Sequence, residues 1–162
     1  MSASQTYALA PMQHGFLFHH VSGVAPGVDL EQILIRVTGP LDDAALARAW
    51  RGLLARHDVL RTRFRWEDVD EPVQEVLPAV EAPLEMRDLR ALPETGREAA
   101  AESFVAEERA RGFDLREAPL SRLACLRTGE EAWLLVWSFP HLVMDGRSFP
   151  PVLAEFFPLS EA

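Results

Sequence analysis

The sequence predicts a two-layer α/β sandwich, in which helices pack on a mixed β-sheet. Segments with the apolar spacing of helices occur between segments that alternate with the two-residue period of strands. Some strand segments are separated by whole helices and others only by a short turn, which favours a mixed sheet over a doubly wound parallel one. With 162 residues and 48% hydrophobic side chains, the chain is large enough for a proper hydrophobic core.

The first third of the chain is predicted to form a helix, a strand and a second helix. Residues 11–20 have apolar side chains at helical spacing, and residues 30–39 alternate as a half-buried strand does. Asp42 then offers a capping carboxylate for the second helix. The buried face of the first helix is predicted to be Met12, Phe16 and His20, with Gln13 and Leu17 beside them. The buried stripe of the second is predicted to be Leu46, Trp50, Leu53, Leu54 and His57.

The rest of the chain is predicted to contribute five strands and two more helices. The strands are expected at residues 59–66, 73–77, 83–89, 119–127 and 131–139. Three residues separate the last two strands, which is short enough for a hairpin. A helix at residues 94–111 precedes Gly112, a residue suited to a C-terminal cap. Ser148 is expected to cap a final helix that ends near Phe157, with two prolines in its first turn.

The composition argues against several classes of function. The net charge is −9 and the 16 basic residues are all scattered arginines, so a nucleic-acid interface is not expected. No apolar run is long enough to span a membrane and the N-terminus lacks the pattern of a signal peptide, so we expect a cytoplasmic protein. Cys125 is the only cysteine and lies in a strand pattern, which predicts a core residue rather than a disulfide or zinc ligand.

The histidines near the N-terminus raise the question of a metal site. His19 and His20 are adjacent, so on a helix their side chains point about 100° apart. No cysteine or glutamate close to His14, His19 or His20 completes a ligand set, and we therefore predict no metal site. The tryptophans lack interleaved basic residues and are predicted to be core residues, namely Trp50, Trp66, Trp133 and Trp137.

The most informative stretch is residues 133–148, an apolar run that ends in a polar loop. The run has the length and composition of a buried strand. His141 follows it, and a histidine held at a strand end is suited to proton transfer because its charge changes near neutral pH. Asp145 and Gly146 form a turn pair, in which the carboxylate bonds nearby backbone and the glycine allows a positive φ. Taken alone, this spacing also fits a buried histidine with a structural role.

Four segments of the sequence, in order, resemble the motifs of one family. Residues 140–146 (PHLVMDG) are similar to the His-His-x-x-x-Asp-Gly motif of condensation domains in nonribosomal peptide synthetases. Residues 9–19 (LAPMQHGFLFH) resemble the opening motif of that family, and residues 56–64 (RHDVLRTRF) resemble its second motif. Residues 113–115 (FDL) and 119–122 (PLSR) resemble the stretch before the strand that carries the histidines.

This resemblance implies a role for each residue of the loop. His141 matches the catalytic second histidine of the family, which would assist attack of an acceptor amine on a donor thioester as a general base or by positioning the amine. Asp145 could act as a base or a metal ligand, but the favoured role is structural, in a bidentate bond with Arg61 that fixes the loop of His141. Gly146 is expected to serve the turn and to let substrate pass close to the backbone.

Two departures from the family pattern affect what the resemblance implies. Pro140 replaces the first histidine of the motif, and because proline has no N–H, we expect it to reshape the end of the strand. Residues 1–162 match only the N-terminal lobe of the two-lobed chloramphenicol-acetyltransferase-like fold. The C-terminal lobe is therefore expected to be absent, and the isolated lobe to be inactive.

The complete domain would form an amide bond between a donor acyl or peptidyl thioester and an acceptor aminoacyl amine, both tethered to carrier proteins. Phosphopantetheine arms would carry these substrates, and no cofactor or metal is expected to bind directly. The missing lobe and neighbouring synthetase domains are the other implied partners. Two alternatives remain: a non-catalytic half-domain that binds a carrier or another synthetase component, which Pro140 favours, and a stand-alone CoA-dependent acyltransferase.

Overall fold

A computed structural model describes residues 4–23 and 29–161, with residues 158–161 described by their backbone alone. Within these residues, the α-helices are α1 (Pro11–Ser22), α2 (Asp43–Arg56), α3 (Glu94–Arg111) and α4 (Phe149–Glu161). The strands are β1 (Gln5–Ala8), β2 (Leu30–Thr38), β3 (Thr62–Arg65), β4 (Val73–Val76), β5 (Leu84–Asp88), β6 (Arg122–Gly129) and β7 (Ala132–Pro140). A short 3₁₀ helix, Asp58–Arg61, links α2 to β3.

The described strands form two sheets. The larger sheet has the order β2-β7-β6-β5, in which β5 and β6 are parallel and the other neighbours are antiparallel. This is the mixed sheet that the sequence predicts, with the predicted hairpin between β6 and β7. The smaller sheet, β1-β4-β3, is antiparallel throughout. The sequence does not predict β1, because all its side chains are exposed and only pairing with β4 makes it a strand.

The main core lies between one face of the larger sheet and helices α2 and α4. Trp137 of β7 is fully buried there, and its ring centroid lies 5.1 Å from that of Trp50 and 5.2 Å from that of Phe149. Its Nε1 donates to Oγ of Ser121 at 2.7 Å, so the one polar atom of the indole has a partner. The predicted stripe of α2 is confirmed for Leu46, Trp50, Leu53 and Leu54.

Helix α3 covers the opposite face of the larger sheet. Its bounds are the predicted ones, and Phe104 is buried against the sheet in a second apolar cluster. Gly112 follows with a φ of 60°, a conformation that favours glycine at the end of a helix. Buried Glu108 accepts a hydrogen bond from Nε of Arg122 on β6 at 2.9 Å. Both an ion pair and apolar packing therefore hold α3 against the larger sheet.

The core predictions for Cys125 and the tryptophans are confirmed with one exception. Trp50, Trp133 and Trp137 are buried, whereas Trp66 is only partly buried at the edge of the core. Cys125 is fully buried, and this burial raises the pKa of its thiol to about 12. The thiol is therefore protonated at neutral pH and acts as a small apolar side chain.

Helix α1 buries a different face from the predicted one. Met12 is 71% exposed and His20 is exposed, whereas Leu17 is buried and Gln13 and Phe16 are half-buried. The physical reason is that α1 packs against the loop that follows β7, through Gln13 and Phe16. It does not lie on a broad apolar surface. A narrow contact of this kind covers only one stripe of the helix.

The strand predicted at residues 59–66 is wrong in its first half. The 3₁₀ helix occupies Asp58–Arg61, and only Thr62–Arg65 pairs with β4. The helical turn buries Leu60 fully, and Oγ1 of Thr62 donates to the carbonyl of Asp58 at 2.9 Å. Local bonds from side chain to backbone compete with strand pairing, and here they delay the start of β3.

The pairing of β3 with β4 predicts an acid-sensitive contribution to stability. Glu75 is nearly buried, and Arg63, directly opposite it, donates to its carboxylate at 2.8 Å. This hydrogen bond is the main cause that lowers the pKa of Glu75 below its ordinary value of 4.5. A carboxyl group with a depressed pKa stabilises the folded state at pH values above its ordinary pKa. This contribution is lost as the pH falls through the pKa of the folded state.

We therefore expect Glu75→Gln to lower the free energy of unfolding by about 1–2 kcal/mol at pH 7, because a charged hydrogen-bond acceptor is lost. The difference from the parent chain should shrink as the pH falls below 4.5. Urea unfolding at pH 7 and at pH 3.5 measures both values. Glu85→Gln is the matched control, since Glu85 pairs with Arg87 at an exposed position. A Glu75→Gln penalty that does not change with pH would contradict the prediction.

Candidate active site

Strand β7 carries His141 to the edge of the larger sheet. The N–H of His141 donates to the carbonyl of Asp29 at 2.7 Å, so the ladder with β2 continues one residue beyond the pair of Leu30 and Pro140. The chain then turns at once, because the N–H of Val143 donates to the carbonyl of Pro140 at 2.9 Å. A strand followed directly by a tight turn fixes the backbone on both sides of His141.

Pro140 does not reshape the end of the strand, which corrects the expectation from the sequence. Successive N–H groups of β7 point alternately towards β2 and towards β6. Since the N–H of His141 points towards β2, the backbone of residue 140 points towards β6. Strand β6 begins only at Arg122, opposite Ser138, so no residue of β6 lies opposite position 140. A proline at this position therefore removes no hydrogen bond from the ladder.

The loop fixes the ring of His141 in one tautomer. Its Nδ1 lies 3.1 Å from the carbonyl oxygen of Met144. A carbonyl oxygen only accepts hydrogen bonds, so Nδ1 must carry the proton, and Nε2 of the neutral ring keeps its lone pair. The ring is half-buried. Nε2 is therefore the atom that can accept a proton from a bound substrate.

Helix α1 packs directly on the loop of His141. The ring centroid of Phe16 lies 4.7 Å from that of His141, with 34° between the planes. Nε2 of Gln13 donates to the carbonyl of Leu142 at 3.2 Å. Local sequence patterns assign neither of these two α1 residues a role at the site. Gln13 occupies a capping-box position three residues after Ala10, which indicates the start of α1 but not a contact with the loop.

Asp145 closes the turn after the histidine. Its Oδ1 accepts hydrogen bonds from Oγ of Ser148 at 2.7 Å and from the N–H groups of Ser148 and Arg147 at 2.8 and 3.0 Å. These bonds, the one from the Ser148 hydroxyl first, lower the pKa of Asp145 below its usual value. Asp145 is therefore a hydrogen-bond acceptor that holds the turn, as its place in an Asp-Gly pair predicts.

The predicted cap of α4 by Ser148 is not observed. The Ser148 hydroxyl donates to Asp145 instead. The cause lies in the sequence, because a capping side chain accepts from the second or third N–H of its helix. In α4 those positions are Pro150 and Pro151, which have no N–H to donate.

The predicted pair of Arg61 and Asp145 is wrong for this structure. Nε of Arg61 donates to the carbonyl of Leu54 at 3.0 Å, and the guanidinium also bonds the carbonyl of Leu77 and the carboxylate of Asp58. Arg61 thus joins the end of α2 to the residue after β4. Asp58 lies three residues away in the same helical turn, so that pair forms easily, while Asp145 is already occupied by its own turn.

Gly146 does not need to be glycine for conformational reasons. Its φ is not among the positive values that the described glycines adopt, so the predicted left-handed turn residue is not observed. A Cβ atom added at Gly146 would have no neighbour within 4 Å. The position is exposed and faces open space. The other role that the resemblance implies, close passage of substrate along the backbone, is therefore the one that can be tested.

In a polypeptide that also contains the expected C-terminal lobe, we expect Gly146→Leu to leave stability within about 0.5 kcal/mol of the parent and to lower the rate of the implied amide formation at least fivefold. The side chain would occupy the open space beside the loop of His141. Unfolding curves and steady-state kinetics measure the two effects. Gly52→Leu is the matched control, because a Cβ at Gly52 also meets nothing within 4 Å, on α2. Equal rates for both variants and the parent would count against a substrate path at Gly146.

The remaining histidines lie outside this loop. His14, His19 and His20 are exposed on α1. In residues 4–23 and 29–161, no three His, Cys, Asp or Glu side chains come together as a metal site would require. The sequence places His57 on the buried stripe of α2, but the structure does not. Its Nε2 lies 2.8 Å from Oε2 of Glu155, and this contact links α2 to α4.

Within residues 4–23 and 29–161, no helix has the length and apolar character needed to cross a membrane.

A cleft of about 480 Å³ opens beside Pro140. Its walls are formed by the C-terminal ends of α1 and α3, with Arg109 and Phe113 on the α3 side and His20 on the α1 side. The cleft adjoins the strand end from which His141 projects. His141 itself is not among the residues that line it.

The sequence matches a known family over nearly its full length. The family model described as the condensation domain matches residues 3–161. Gramicidin S synthase 2 of Brevibacillus brevis is 35% identical over 151 residues, which are 93% of this chain and 3% of that protein. Surfactin synthase subunit 3 of Bacillus subtilis is 36% identical over 157 residues, which are 96% of this chain and 12% of that protein.

Solved structures show the same fold. The first condensation domain of the CDA synthetase superposes with a TM-score of 0.87 at 21% identity, covering 98% of this chain and 40% of that one. The starter condensation domain of rhizomide synthetase RzmA gives a TM-score of 0.83 at 22% identity, with 96% and 38% covered. The chain therefore spans well under half the length of these solved domains, and a small fraction of the curated relatives.

Proposed function

Because the chain belongs to the condensation domain family, we propose that residues 1–162 are the N-terminal lobe of a domain that forms amide bonds. The donor is an acyl or peptidyl thioester, and the acceptor is the amine of an aminoacyl thioester. The observation that carries the proposal is the orientation of His141, whose Nδ1 is tied to the carbonyl of Met144 at 3.1 Å. This leaves Nε2 as the proton acceptor at the end of β7.

In the proposed reaction, the acceptor amine attacks the carbonyl carbon of the thioester. A C–N bond forms and the C–S bond breaks, while Nε2 of His141 accepts the proton that the amine loses. The sulfur leaves as a thiolate and takes that proton back, directly or through water. Because a thioester is already activated, orientation of the two substrates supplies much of the rate, and proton transfer by His141 adds to it.

The proposed partners are carrier proteins whose phosphopantetheine arms deliver both substrates. The chain covers 40% of one solved condensation domain, so the proposal assigns the opposite wall of the site to a C-terminal lobe outside this sequence. Neighbouring synthetase domains would supply the carriers. The proposed compartment is the cytoplasm, since a chain whose single cysteine is Cys125 lacks the disulfide framework of small exported domains.

The test compares the 162-residue chain with a longer polypeptide in which the proposed C-terminal lobe follows it. Each is mixed with an acyl-loaded donor carrier and an aminoacyl-loaded acceptor carrier, and the amide product is measured by intact-protein mass spectrometry. We expect product with the longer polypeptide and only background with the 162-residue chain. No product from the longer polypeptide with any loaded carrier pair of its own synthetase would overturn the proposed function. Efficient amide formation by the 162-residue chain alone would overturn the assignment of the opposite wall of the site to a C-terminal lobe.

A further inference from the structure

Gln13 connects α1, the smaller sheet and the loop that follows β7. Its side-chain carbonyl accepts from the N–H of Ala10 at 2.9 Å, and its amide nitrogen donates to the carbonyl of Leu142 at 3.2 Å. The amide of Gln74 on β4 lies against it, with N-to-O distances of 3.3 Å in both directions. Gln74 is held in turn by the carbonyl of Ala8 at 3.0 Å. The orientation of the Gln13 amide is therefore fixed from several sides.

The bond from Gln13 reaches the middle of the loop that orients the histidine. Leu142 lies between His141 and Met144, whose carbonyl holds Nδ1 of the ring at 3.1 Å. A displacement of the Leu142 carbonyl therefore displaces the acceptor that selects the tautomer. Phe16 lies one helical turn after Gln13 and packs on the imidazole, with ring centroids 4.7 Å apart. Helix α1 thus contacts both the loop backbone and the ring.

We propose that Gln13 is a positioning residue for His141, acting through the carbonyl of Leu142. The proposal rests on the proposed function for its kinetic consequence, although the contacts exist without it. Gln13 is suited to this role because its amide accepts at one end of α1 and donates to the loop at the same time. A carboxylate of the same size keeps the acceptor and loses the donor, so the two functions of the side chain can be separated.

The test is Gln13→Glu at pH 7.5 in the polypeptide that makes the amide. We expect kcat to fall at least tenfold, because small displacements of a catalytic group are costly, while KM for both loaded carriers stays within twofold. Gln32→Glu is the matched control, since Nε2 of Gln32 donates to the carbonyl of Val105 at 3.1 Å and to Oγ of Ser138 at 3.3 Å, and neither acceptor lies in the loop that follows β7. We expect its kcat to stay within twofold of the parent.

A second measurement reads the position of the ring without any reaction. Nitrogen-15 shifts of His141 in the 162-residue chain should show one tautomer, with the proton on Nδ1, and Gln13→Glu should give a mixture of tautomers. If Gln13→Glu does not fold, Gln13→Met replaces it, because methionine has similar size and no donor. The same tautomer and the same kcat in the variant would overturn the proposal, and so would an equal loss of kcat in Gln32→Glu. If the parent makes no amide, the proposed function fails, and the tautomer alone decides the role of Gln13.

Discussion

In the polypeptide that contains both proposed lobes, replacement of His141 by glutamine should lower the rate of amide formation by about 10²-fold or more, the range expected when a general base is lost. Glutamine keeps a polar side chain of similar reach but has no basic nitrogen. The half-buried ring makes a hydrogen bond within its own loop, to the carbonyl of Met144. We therefore expect the variant to fold with a melting temperature close to that of the parent. Product formation from loaded carriers, followed by mass spectrometry, measures the loss.

The control for this experiment is His14→Gln, on the exposed side of α1. It removes a histidine from the same lobe without touching the loop, so its rate should stay within twofold of the parent. A His141→Gln variant that forms amide at the parental rate would contradict the proton-transfer role. Catalysis would then come from orientation of the two substrates by other parts of the site.

Replacement of Trp137 by alanine should produce the largest loss of stability of any substitution considered. The side chain is fully buried and contacts aromatic rings from α2 and α4, with Trp50 at 5.1 Å and Phe149 at 5.2 Å between centroids. Removal of an indole from such a site leaves a large cavity and costs about 3–5 kcal/mol. That is a large fraction of the free energy of unfolding of a typical domain. Urea unfolding followed by far-ultraviolet circular dichroism measures it.

The conservative variant Trp137→Phe separates packing from hydrogen bonding. It keeps an aromatic ring but leaves the fully buried hydroxyl of Ser121 without the indole donor that lies 2.7 Å away. We expect a loss of about 1–3 kcal/mol, the cost of an unsatisfied buried polar group together with the lost ring volume. Trp66→Phe, at a partly buried position, should cost less. A smaller loss for Trp137→Ala than for Trp66→Ala would contradict the assignment of the core centre.

The sequence predicts most of the candidate site but not its internal bonds. It places His141 at a strand end and Asp145 in a turn, because the apolar run and the Asp-Gly pair are local patterns. It does not predict the partner of Arg61, since Asp58 and Asp145 both offer a carboxylate and only the folded backbone determines which is within reach. The contribution of Gln13 is also absent from the pattern, because Leu142 lies far away along the chain.

The sequence by itself determined the elements whose side chains repeat at regular intervals. Helix α2 and strand β2 follow from apolar periodicity, strand β7 follows from a continuous apolar run, and the mixed sheet follows from the lengths of the connections. These features depend on neighbours a few residues apart, so they can be predicted locally.

Only the tertiary structure decided the features that depend on distant partners. Strand β1 exists because β4 pairs with it, although all its side chains are exposed. Met12 is exposed and Gln13 faces inward because of where α1 contacts the loop of His141. Pro140 is accommodated because β6 begins only at Arg122, beyond the point where a hydrogen bond would be needed. In each case the deciding free energy comes from a contact across the fold, which local sequence patterns do not contain.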